Sequence, residues 1–199
     1  LRSTDPLFRP VAITNAPDGS LYLMDMYTGI IQDAQFVGPN SYLRRKVEQL
    51  ALDKQHNWGR IWRITYEGTT PDRQRPQMYR DTPAQLVKHL EHQNGWWRDT
   101  AQKELVLRQN KSVVPALQTL LNTSPNLLAR FHALWTLEGL GALRPAVVRR
   151  QMEDPEPRMR IQAIRASETL YKAGDRSFAN DYNALTKDPS VDVVIQAML

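Results

Sequence analysis

In the C-terminal half, alanines 101, 133, 163 and 197 recur at intervals of 32, 30 and 34 residues, and the last three each follow a proline by eight residues. Arg98, Arg130 and Arg160 stand three residues before the first three alanines. A beat of this length is that of a unit of two helices and their turns. Such a unit is too small to bury its own apolar face and must stack on its neighbours. The period therefore predicts a mainly α-helical chain in which residues 81–199 form a solenoid of about three and a half units.

The best-marked unit is 124–141, SPNLLARFHALWTLEGLG. It reads as one complete helix, with Ser124 as the cap, Pro125 in the first turn and Gly139 to Gly141 as the stop. Its polar positions fall in two narrow stripes, Arg130 with Glu138 and His132 with Thr136, so apolar residues cover most of the circumference and call for packing on more than one side. The second helices of the units are expected at 113–121, 145–152 and 178–186. In this pattern the half resembles HEAT-type repeats, which implies an α-α superhelix. The repeat arginines are expected to contact acidic groups such as Asp99, Glu138 or Asp192.

The N-terminal part has a different grammar. Segments 11–15 and 21–26 read as strands joined by Ala16-Pro17-Asp18-Gly19-Ser20, where Pro fixes one φ, Asp bonds its own backbone and Gly accepts positive φ. Residues 29–52 interrupt the pattern, with a short basic helix expected within 42–52. A third strand follows at 59–66, with Trp62, Ile64 and Tyr66 on one face and Ile61, Arg63 and Thr65 on the other. Both faces of the hairpin are largely apolar, and three strands cannot satisfy their own edges and faces, so the segment is expected to belong to a larger β structure. The absence of an initiator Met and an end at VIQAML, inside an apparent helix, point the same way, to a piece of a longer polypeptide.

Composition narrows the chemistry. There is no cysteine, which excludes disulfides, thiolate metal sites, covalent haem attachment and a cysteine nucleophile within this chain. The net charge of +5 is spread over both parts, with 11 basic and 8 acidic residues in 1–80 and 15 and 13 in 81–199. That is mild positivity without a basic domain. No apolar run has the length of a membrane span.

FRPVAITNAPDGSLYLMDMYTG followed by GRIWRI resembles the final blade region of the six-bladed β-propellers of the soluble quinoprotein glucose dehydrogenase and sorbosone dehydrogenase superfamily. With ARFHALWTLEGLGAL downstream, the order of segments resembles large membrane-associated or periplasmic bacterial dehydrogenases. The resemblance implies that 1–80 is the closing β segment of a propeller and 81–199 a HEAT-like array. It implies oxidation of a sugar or alcohol, with electrons passing to a quinone or a cytochrome c carried elsewhere. Pyrroloquinoline quinone and calcium would bind in the longer protein, and haem c outside this chain. Of the paired arginines that contact the quinone in that superfamily, the first matches Arg9. The second position is held by Val11, with Ala12 at the acidic position that follows.

The resemblance makes Arg9 the candidate cofactor-binding residue and Asp25 and Tyr27 candidate cavity-facing residues. No catalytic residue, metal site or bound cofactor is expected in this chain by itself. His89 and His92, spaced i, i+3, lack a third ligand nearby and read as a solvated face. His56 and His132 have no Ser or Asp partner for a triad, and His132 reads as satisfied by Thr136. Trp96 and Trp97 read as a seal between the two parts. Arginines 144, 149, 150, 158, 160 and 165 are interleaved with acidic residues, which argues against a nucleic-acid surface and leaves an acidic redox partner such as a cytochrome, beside the rest of the polypeptide, as the partner. The alternative is a non-catalytic scaffold with a degenerate propeller and a partner-binding solenoid.

Overall fold

The structure is a computed structural model that describes residues 2–5, 7–31 and 37–199. It is mainly helical, with a small three-stranded antiparallel sheet. The chain divides into two compact units, Leu1–Arg75 and Pro76–Leu199. Residues 76–80, placed with the strands by sequence, join the helices, because Arg108 donates to the carbonyls of Met78 and Asp81 at 2.7 and 2.5 Å.

In the first unit, strands β1 (Pro10–Asn15), β2 (Leu21–Asp25) and β3 (Arg60–Ile64) pair in the order β1-β2-β3. Ile13 lies opposite Leu23, which lies opposite Trp62, and Asp25 lies opposite Arg60. The β1–β2 turn follows its sequence chemistry. Gly19 takes φ +84°, and Asp18 accepts from the amide and hydroxyl of Ser20 at 2.9 and 2.6 Å. A register shift between Pro10 and Ala12 bulges β1 at Val11, where the chain turns toward Arg9. Helix α1 (Tyr42–Gln49), capped by Ser41, lies within the connection to β3, whose residues 32–36 fall outside the described residues. Val11, Ile13, Ile61 and Tyr66 are exposed, so apolar surface is left on the sheet.

The second unit contains α2 (Pro83–His89), α3 (Gly95–Arg108), α4 (Val114–Thr123), α5 (Leu127–Gly139), α6 (Pro145–Met152), α7 (Pro157–Lys172), α8 (Ala179–Leu185) and α9 (Val191–Met198). Each even-numbered helix packs on the odd-numbered one that follows it, and α3, α5, α7 and α9 pack in succession. The odd-numbered helices share one frame. Their caps are Asn94, Asn126, Glu156 and Ser190, and the repeated alanine stands seven residues beyond each. Ala101, Ala133 and Ala163 are fully buried, where a small side chain lets neighbouring helices approach.

The caps correct the sequence reading of 124–141. Ser124 does not cap α5, and Pro125 lies before the helix rather than in its first turn. Asn126, extended at φ −84° and ψ 104°, accepts from Leu128 N at 3.0 Å, while the Ser124 hydroxyl accepts the amide of Asn126 at 3.2 Å. The reason is Asn126, whose side chain accepts the Leu128 and Ala129 amides and so takes the cap position two residues beyond Ser124. The same arrangement recurs: His92, Asp154 and Asp188 accept the cap amide at 3.0, 3.0 and 2.8 Å. The stop is as expected. Gly141 at φ +59° donates to Glu138 O and Ala142 N donates to Leu137 O, the paired bonds that close a helix C-terminus.

Candidate functional site

Arg9, Asp25 and Tyr27 meet where β1 begins and β2 ends. Asp25 is 2% exposed and organises the backbone there. Its Oδ1 accepts the amides of Arg9 at 2.8 Å and Tyr27 at 3.0 Å, and its Oδ2 accepts the indole N–H of Trp62 at 2.9 Å. Trp62 reaches it because both lie on one sheet face, two pairs apart along the β2–β3 ladder, as diagonal neighbours. Burial alone pushes the Asp25 carboxyl upward; the Trp62 indole, the two amides and the Arg60 charge outweigh it and hold the group below the usual carboxylate range. With both oxygens committed, Asp25 is a structural acceptor rather than a base near neutral pH.

Tyr27 has φ +41°, a conformation costly for a side chain of its size, and three contacts fix it there. Its amide is held by Asp25, and its hydroxyl donates to Asp5 Oδ2 at 2.7 Å. The Arg60 guanidinium lies 3.4 Å from its ring centroid, close enough for a strong cation–π contact. The Trp58 ring is stacked beside it at 6.4 Å. The Tyr27 hydroxyl, then the Leu7 amide, hold Asp5 below its ordinary value; the Asp5 acceptor, then burial, push the Tyr27 phenol above its own. Tyr27 is thus a protonated donor already in use.

Arg9 differs from both. Its amide is held by Asp25 and its carbonyl accepts from Met26 N at 3.0 Å, which clamps the backbone on both sides. Its half-buried guanidinium has no hydrogen-bond or ion-pair partner among the described residues. Of the three predicted residues, it alone keeps unspent donors. Sequence reasoning missed Asp5, Trp58, Arg60 and Trp62. The alternation of GRIWRI puts Trp62 and Arg60 on one face, but their meeting with Asp25 and Tyr27 depends on the cross-strand register, and Asp5 sits in an irregular segment with no pattern to mark it.

In the helical unit, the predicted ionic partners are corrected. Arg130 pairs with Asp154, and Arg160 with Asp188; Asp99, Glu138 and Asp192 do not pair with the repeat arginines. Those acids project from helices, whereas Asp154 and Asp188 stand in the cap loops the arginines reach. His89 and His92 are not a solvated face, since their rings pack against Trp97 at 5.2 and 5.0 Å. Trp97 itself is buried in the helical core. His132 Nδ1 lies 2.6 Å from Gln102 Oε1, and Thr136 donates to the His132 carbonyl, not to its ring. His56 Nδ1 lies 3.1 Å from Asp53 O in its own loop. Among the described residues no group of three or more His, Cys, Asp or Glu could hold a metal ion, and no helix is long and apolar enough to cross a membrane.

A family model described as a domain of unknown function (DUF7133) matches residues 1–68. No curated protein matches the chain.

Proposed function

We propose that this chain is part of a periplasmic or membrane-associated bacterial oxidoreductase that oxidises a sugar or related alcohol. On this reading the strands are the closing segment of a β-propeller and the helices a HEAT-like solenoid. Electrons leave through a quinone or a cytochrome c carried elsewhere in the protein. The observation that carries the proposal is Arg9: a backbone clamped by Asp25 and Met26, and a guanidinium whose donors are unspent among the described residues. The segment resemblance supplies the enzyme class.

The residues fit one part of a pyrroloquinoline quinone site. Arg9 can hold a carboxylate of the quinone through paired N–H donors. The quinone, when bound, accepts the electrons of substrate oxidation. Asp25 does not fit as a calcium ligand, because its oxygens already accept N–H donors. In the full-length protein, Arg9→Ala should weaken quinone binding about 10- to 100-fold, the worth of one charged hydrogen-bonded contact. The melting of the protein should not change. Unaltered quinone titration would remove Arg9 from the site.

A second reading, a non-catalytic scaffold, is favoured by the engagement of Asp25 and Tyr27 in the protein's own hydrogen bonds. The 199-residue chain alone should reduce no dye with quinone, calcium and a panel of aldoses and alcohols on either reading. Full-length protein separates them: substrate-dependent dye reduction belongs to the enzyme, and its absence with quinone bound to the scaffold.

A further inference from the structure

Four helices of the second unit start in the same way, with a side chain two residues before the cap accepting the cap's amide. In α5, α7 and α9 that acceptor is Ser124, Asp154 or Asp188. In α3 it is His92, whose Nδ1 receives the Asn94 amide at 3.0 Å. A serine hydroxyl keeps its lone pairs at any pH, and an aspartate keeps its own down to about pH 4. An imidazole nitrogen accepts only while unprotonated, and histidines ordinarily gain that proton near pH 6.5.

We propose that His92 is an acid-sensitive latch on the first helix of the stack. With the ring neutral and its proton on Nε2, Nδ1 accepts the Asn94 amide and the cap closes. A second proton on Nδ1 turns the acceptor into a donor facing another donor. The cap must then open, or the ring must turn away from Trp97.

The surroundings give the latch its direction. From α3, the Arg98 guanidinium donates to the carbonyls of His92 and Gln93 at 2.6 and 2.7 Å, which places a fixed positive charge on the same turn. Across the buried Trp97 ring, which both imidazoles touch, His89 Nε2 lies 3.0 Å from Asp81 Oδ2. Glu91 of the same turn accepts from the Ser124 hydroxyl at 2.8 Å, and Ser124 on the α4–α5 connection carries no charge.

The closed cap requires the neutral ring, so the stabilisation is complete above the histidine range and is lost as pH falls through it. Hydrogen exchange of the full chain should show protection at the amides of residues 94–97, corrected for intrinsic rates, falling about fivefold between pH 7.5 and 5.5, the usual worth of a cap. The amides that begin α5, α7 and α9 should keep theirs. His92→Asp, which copies the acceptor of α7 and α9, should abolish the fall; His92→Asn serves the same purpose should the aspartate disturb folding. His89→Gln should leave the fall in place. Flat protection in the unsubstituted chain, or an unchanged fall in His92→Asp and His92→Asn, overturns the proposal.

Discussion

Arg160 holds Asp188 with two parallel hydrogen bonds, Nε to Oδ2 at 2.9 Å and Nη2 to Oδ1 at 2.7 Å, while its Nη1 donates to the carbonyls of Asp154 and Pro155. The guanidinium thus joins the cap loop of its own helix to that of the next. Arg130 makes a related link one unit earlier, through Leu121 O in the last turn of α4 on one side and Asp154 and Gln151 on the other. The repeated arginine is therefore a connector whose charge matters less than its forked reach.

Removing one end of that link should be costly, because Arg160 and Asp188 side chains are only 11% and 6% exposed. Asp188→Ala leaves a buried cation unpaired and should destabilise the helical unit by about 3 kcal/mol in urea unfolding. A loss below about 1 kcal/mol would place the pair in the weak, solvent-screened class.

The same residue sets an acid dependence. Burial pushes the Asp188 carboxyl upward, but Arg160 and the Ser190 amide outweigh it and hold the group below its ordinary value. Its contribution is therefore present above about pH 4 and lost as pH falls further, through the lowered folded-state value. Melting curves from pH 5 to 2.5 should fall more steeply for the unsubstituted chain than for Asp188→Asn. Parallel curves would contradict it.

Much of this ladder was legible in the sequence and part was not. The Pro, Arg, Ala spacing encodes helix starts and buried contacts, which are local or strictly periodic, and so marked α3, α5, α7 and α9 correctly. The ionic partners were misread because Asp154 and Asp188 stand outside the helices, where no periodicity marks them, and a carboxylate there has lone pairs for both a cap amide and an arginine. At the sheet, the turn chemistry of Pro17-Asp18-Gly19 foretold the hairpin. The Asp25–Trp62 bond was hidden, since it depends on register across a long connection that no pattern fixes.

Helix contact in the stack depends on missing side chains as well. A Cβ built on Gly139 would lie 2.7 Å from Val106 Cγ2, so α3 and α5 approach where only glycine fits. Gly139→Ala should cost about 1–3 kcal/mol despite the better helix propensity of alanine. Val106→Ala in the same chain should recover most of it, and a double-mutant cycle by urea unfolding without coupling would refute the contact.

In the strand unit, Asp25→Ala strands the amides of Arg9 and Tyr27 and the Trp62 indole, and relaxes the loop that keeps Tyr27 at positive φ. Each unsatisfied buried donor costs about 1–3 kcal/mol, so the strand unit should lose its cooperative melting transition. Near-ultraviolet dichroism should report this as a loss of Trp62 and Tyr27 signal, with the far-ultraviolet helix signal retained. An unchanged aromatic spectrum would show that the cluster is held by other contacts.

The first link of the ladder is incomplete. Arg98 reaches the carbonyls of His92 and Gln93 as Arg160 reaches those of Asp154 and Pro155, but the position matching Asp188 is Ser124, and that matching Gln151 is Leu121. Arg98 is 9% exposed, and its Nε is buried without a hydrogen-bond partner. Ser124→Asp supplies the missing acceptor while keeping the lone pair that receives the Asn126 amide. Alone it would set the new carboxylate against Glu91, which now accepts the Ser124 hydroxyl, so Glu91→Gln is introduced with it. The double variant should gain about 1–2 kcal/mol in urea unfolding, the worth of a charged hydrogen bond to a previously orphaned donor. Arg98→Lys, which lacks the fork, should cancel that gain. A double variant no more stable than the parent chain would mean that Arg98 does not occupy the frame of Arg130 and Arg160.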